Sequence, residues 1–183
     1  MQYLFNDAKK ATVCILGVAL LWTMLFRLNT LLFSYFEKNQ FVNLFFMPAG
    51  VRLIAVLLFA ELGVAGLLLG ALITSSSINI TIMMATCLIS AINPYLAIHV
   101  TKRFFQVDFL LNNLNAKVLI LMGVFSAGFN ALTHHLYFYY AELTTSWLNC
   151  LTMFVGDLLG IAIMMLLFSL ILKLIRKSTS LSI

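Results

Sequence analysis

Five ionisable residues, Arg27, Arg52, Glu61, His134 and Asp157, stand inside or beside long apolar runs of this 183-residue chain. A charge at the centre of a bilayer costs at least about 2.5 kcal/mol even on the lenient insertion scale, so ionisable residues at such positions point to function. Arg52 and Asp157 each fall roughly ten residues, about 15 Å, from the outer end of their runs, and therefore at one depth. A guanidinium and a carboxylate at one depth can pair, each offsetting the other's desolvation. Arg27 lies nearer the outer end of the first run, and Asn130, His134 and His135 toward the outer end of another.

Two readings of this polar group follow. In the first, it lines a pocket open to the periplasmic side, where Arg27 and Arg52 hold a small anionic ligand and His134 changes charge near neutral pH. In the second, an Arg52–Asp157 pair only fixes helix register while Arg27 snorkels to the interface. Glu61 is expected at a solvated turn.

Other chemistry finds little support. His134 and His135 are adjacent, so on a helix they point about 100° apart and cannot ligate from one face. His99 lies near the opposite surface, and Cys14, Cys87 and Cys150 form no Cys-x-x-Cys pair. No metal, haem or other cofactor is expected. No nucleophile, base and orienting residue stand at workable spacing and no Gly-rich phosphate loop occurs, so the chain reads as a non-enzyme.

The elements that must position these residues are membrane helices. With 63% hydrophobic and 9% charged residues and a mean hydropathy of +1.06, the chain has far too few charges to clothe a soluble core. Its net charge of +5 comes from clusters flanking apolar runs: Lys9 and Lys10, Lys102 and Arg103, Lys117, and Lys173 with Arg176 and Lys177. That placement follows the positive-inside rule rather than forming a nucleic-acid face.

About 20 apolar residues cross a bilayer. By that ruler we expect one integral-membrane domain over residues 1–183, an all-α polytopic bundle with spans near 11–33, 41–60, 61–76, 78–100, 117–137 and 147–172. The stretch from Phe41 to Ile73 is barely long enough for two spans and has its only plausible turn at Phe59-Ala60-Glu61-Leu62-Gly63. Read as a hairpin it gives six spans, both termini cytoplasmic and every flanking basic cluster inside; read as one tilted helix it gives five. Six is preferred, in a bacterial inner membrane. Pro94 is expected to kink the fourth span. Gly66 and Gly70, and likewise Gly156 and Gly160, are four apart and allow close helix approach. Gly123, Ala127, Asn130 and His134 lie on one helical face, which should point into the bundle.

The stretch Phe46-Met47-Pro48-Ala49-Gly50-Val51-Arg52-Leu53, the later Leu68-Leu69-Gly70-Ala71 and the element Gly156-Asp157-Leu158-Leu159-Gly160 resemble the first type of the membrane-associated sensor (MASE) family. Those domains are the membrane input modules of bacterial histidine kinases and diguanylate cyclases. The resemblance covers about Phe41 to Leu172. It departs from the family at Met47, at Val64-Ala65, and in having no Pro after the final glycine element. It implies a sensor-like module that detects a small ligand or membrane partner and, with no output domain after Ile183, acts through another protein. A small transport protein, such as the substrate-capturing subunit of an importer, and a ligand-free assembly or scaffold subunit are the alternatives.

Overall fold

The computed structural model describes residues 2–39, 42–77, 79–107, 114–143 and 146–180. The expected span starts at Phe41 and Ile78, and the domain limits Met1 and Ile183, lie outside the described residues, as do the side chains of Arg176 and Lys177. Among the described residues, five helices are long and apolar enough to cross a membrane. They are α1 (Gln2–Phe33), α2 (Pro48–Thr74), α3 (Ile80–Phe105), α4 (Ala116–Tyr140) and α5 (Trp147–Ser180). A short antiparallel pairing of Glu37–Asn39 with Val42–Asn43 lies between α1 and α2.

Local chemistry sets the helix ends. The Asn79 side chain accepts hydrogen bonds from the N–H groups of Thr81 and Ile82 at the start of α3, and that of Asn115 from Val118 N–H at the start of α4. Pro48 opens α2, where its missing N–H costs nothing. Pro94 is buried inside α3, which continues through it to Phe105.

The expected second span begins later than its apolar run. Residues 43–47 are not helical, and protein groups other than a helix ladder satisfy their backbone. Asn29 Nδ2 donates to the Phe45 carbonyl at 3.1 Å, Met47 N–H donates to Asn29 Oδ1 at 2.8 Å, and Phe46 N–H donates to the Gly156 carbonyl at 3.2 Å. Irregular backbone at membrane depth persists only where protein serves it in this way.

α2 breaks at Ala60, whose φ of 47° and ψ of −120° lie outside the helical region. A Cβ on Gly63 would collide with the carbonyl of Ala55, eight residues earlier. In an unbroken helix those positions are about 12 Å apart along the axis, so the halves of α2 fold back on one another. Residues 48–59 cover about 18 Å and 61–74 about 21 Å at 1.5 Å per residue. Both are shorter than the roughly 30 Å hydrocarbon core.

Glycine contacts set the helix directions. Gly66 packs on Ile15 and Val18 and Gly70 on Trp22, rising together, so the second half of α2 runs parallel to α1. Gly156 meets the carbonyl of Asn43, Gly160 that of Phe46, and Gly50 meets Met164, so α5 runs parallel to the first half of α2. The bundle thus has a mouth end, toward Phe33, Ile80, Tyr140 and Trp147, and a tip end, at Ala60 and Phe105, with Pro48 set deeper, beside Gly160 of α5. Lys9, Lys10, Lys102, Arg103, Lys117 and Lys173 belong to the helix ends at the tip. Leu53, Leu67 and Met122 are fully buried at the centre.

Candidate functional site

The polar residues meet about 15 Å in from the mouth end. Arg52 Nη2 donates to Asp157 Oδ2 at 2.6 Å, joining α2 to α5. Nη1 of the same guanidinium donates to Ser90 Oγ of α3 at 3.1 Å, and Asn130 Nδ2 of α4 donates to Asp157 Oδ2 at 2.7 Å. Four helices therefore converge on one carboxylate and its guanidinium. The Phe46 ring sits 5.4 Å from Arg52 Cζ, within cation–π range. Arg52, Asn130 and Asp157 are each at most 3% exposed. At that burial a charge persists only when paired and hydrogen-bonded.

Residue spacing produces this convergence. Asn130 and Asp157 each lie ten residues from the mouth end of their helices, Ser90 ten residues into α3, and Arg52 follows Pro48 by one helical turn. His134 is one turn beyond Asn130, its Nδ1 2.9 Å from the Asn130 carbonyl oxygen. Nearby, Asn93 Nδ2 donates to Thr133 Oγ1 at 2.7 Å and fastens α3 to α4.

Above the network lies a cavity of about 200 Å³. Arg52, Ser90, Asn130, His134 and Asp157 form its polar side, Trp22, Phe26 and Phe46 an aromatic side, and Thr30, Asn43 and Ser75 to Ser77 the rim toward the mouth. Trp22 Nε1 donates to Thr74 Oγ1 at 3.1 Å, which fixes the indole against the second half of α2. A cavity of 150 Å³ holds benzene, so this space admits a small organic molecule.

No family model matches the chain, and no curated protein or solved structure matches it either. Two of the three stretches that bear the sensor-family resemblance lie against each other, Gly156 and Gly160 on the backbone of residues 43–47 and Gly50 on α5. Their glycines are the points where one chain segment touches another's backbone.

Of the sequence-derived candidates, Arg52, Asn130, His134 and Asp157 come together at the cavity, and Arg27 does not. Trp22, Phe26, Asn29 and, at the rim, Thr30 are the residues α1 turns toward the cavity, spaced i, i+4, i+7, i+8. Arg27 lies about 100° round the helix from Phe26 and is exposed. Glu61 follows the break at Ala60 and is exposed, and Tyr95 Oη donates to its Oε1 at 2.7 Å. His135 is buried against the Trp147 ring, with centroids 4.3 Å apart, and neither ring nitrogen has a hydrogen-bond partner among the described residues.

The sequence reading did not single out Asn29, Ser90 or the aromatic side. The Trp22–Phe26–Asn29 stripe was the available signal for α1. Ser90 has none in sequence, since a serine in a span usually bonds its own helix.

Chemically, the Arg52 charge is already taken. The lining holds one guanidinium and one carboxylate in contact, with hydroxyls, amides and an imidazole around them. An anion would meet a guanidinium already neutralised by Asp157, with only its Nε lacking a hydrogen-bond partner among the described residues, whereas an uncharged or zwitterionic molecule can join the network without adding an unmatched charge.

Proposed function

We propose that this chain is a non-enzymatic, sensor-like membrane module whose mouth-end cavity binds a small uncharged or zwitterionic molecule with an apolar face. The observation that carries the proposal is a cavity of about 200 Å³ with aromatic rings on one side and a four-helix polar network on the other. A ligand contacting Asn130 or Ser90 would touch groups that hold α2, α3, α4 and α5 together. Its arrival would therefore be felt by helices that a partner protein can read. The resemblance to the membrane-associated sensor family supports the same reading through Pro48, Gly50, Gly156 and Gly160.

In this reading the two halves of α2 act as two short passes, giving six spans with offset by local bilayer thinning. Both termini face the cytoplasm of a bacterial cell, and the mouth opens to the periplasm. The basic residues at the helix ends by the tip support that orientation.

Thermal-shift screening of the purified protein against uncharged, zwitterionic and anionic compounds tests the proposal. A ligand at 100 times its Kd should stabilise by about 2.7 kcal/mol. Ser76→Trp, at the exposed rim, should abolish that shift and leave the unliganded melting temperature alone. Stabilisation by anions only would overturn the ligand class, and none by any compound would favour a scaffold. Protein-dependent accumulation of a labelled ligand in cells would move the conclusion to transport, whereas capture of a signalling partner without accumulation supports sensing.

A further inference from the structure

A second recess lies at the opposite end of the molecule, away from the mouth-end cavity. It encloses about 560 Å³ against the outer face of α1, between Lys9, Lys10, Val13, Gly17 and Leu21 and the ring of Phe59 beside the hairpin tip. Lys10, Val13, Gly17 and Leu21 follow i, i+3, i+7, i+11, one continuous helical stripe. We propose that this groove is a binding site for an anionic phospholipid, its phosphate held by Lys9 and Lys10 and one acyl chain laid along Val13, Gly17 and Leu21 against Phe59.

Three observations converge on that occupant. The first is length: from Lys10 to Leu21 the stripe covers about 16 Å, close to half of the roughly 30 Å hydrocarbon core, so it runs the depth of one leaflet. The second is charge. Lys9 and Lys10 are exposed, and among the described residues the one ion pair is Arg52–Asp157. Two ammonium groups at the head of an apolar groove complement a phosphate with no compensating cation.

The third is Gly17. Of the nine glycines it alone has no described atom within 4 Å of where its Cβ would stand. A glycine within a helix costs stability relative to alanine, and no protein neighbour requires this one. The space it leaves open is on the floor of the groove, where an acyl chain would lie.

Native mass spectrometry of the protein released from nanodiscs of equal phosphatidylglycerol and phosphatidylcholine reads the site directly. The retained lipid should be enriched in phosphatidylglycerol. Lys9→Gln and Lys10→Gln should each lower the enrichment roughly fivefold. Gly17→Leu should reduce retention of both lipids while the melting temperature stays, and Lys173→Gln, at the same end but off the groove, should leave the enrichment intact. Equal retention of the two lipids overturns the proposal, as does a loss in Lys173→Gln as large as in the α1 variants. A lipid-free dimer that Gly17→Leu disperses also overturns it, assigning the face to a second copy of the chain.

Discussion

Two of the polar contacts of α2 have nearly the same length, Arg52 to Asp157 at 2.6 Å and Tyr95 to Glu61 at 2.7 Å. Their settings differ. The first is shut inside the bundle, where each partner would be left as an unpaired charge if the other were removed. The second is exposed beside the hairpin tip, where water replaces whatever is lost. The contrast teaches that in this fold the surroundings of a contact, rather than its length, decide what it is worth. A contact to a buried guanidinium is held by four helices, and one to an exposed carboxylate by two.

Breaking the buried contact should have the largest effect. Asp157→Ala is expected to cost about 3–5 kcal/mol in thermal or denaturant unfolding, because it strands the Arg52 charge. The double variant Arg52→Ala/Asp157→Ala should lose less than the sum of the single variants by about 1–3 kcal/mol. Strict additivity would remove the basis of the comparison. Next comes Gly160→Ala, which drives a methyl group into the carbonyl of Phe46 and should cost about 1–3 kcal/mol by forcing α5 away from residues 43–47. A neutral outcome would mean that this backbone contact yields freely. Smallest is Glu61→Gln, which should leave the melting temperature within the scatter of repeat scans. A clear drop there would make the tip a structural fastening and erase the difference between the two ends.

Much of this arrangement was legible in the sequence because depth along a membrane helix is nearly a matter of counting. Ten residues from a helix end is about 15 Å wherever the helix lies. That arithmetic sets Asp157 at its depth before any packing is known; Arg52 counts to the same depth only from the start of its apolar run, since in the structure it stands one turn after Pro48 and the irregular residues 43–47 make up the rest of the descent. The phase of a residue around its helix is harder to read. Arg27 and Phe26 differ by one position and 100°, and only the company of Trp22 and Asn29 tells which of them faces inward. The late start of α2 was legible in part from Pro48. The backbone of residues 43–47, however, is held by Asn29 and Gly156, from distant segments, and such contacts leave no local pattern. The break at Ala60 was foreseeable from length, since the run is too long for one pass. Its position was legible too, within the turn Phe59 to Gly63; what leaves no signal is the positive φ at an alanine, an ordinary helix former, at the point where Gly63 packs back on Ala55.

Arg52 and Asp157 are 105 residues apart in the chain. At ribosomal rates of 5–20 residues per second, Arg52 is synthesised roughly 5–20 s before its carboxylate exists. During that interval a half-length helix carrying an unmatched cation is expected to stay at the translocon or near the membrane surface. Arrival of the last helix supplies the matching carboxylate, which predicts an order of biogenesis in which the final segment licenses an early one.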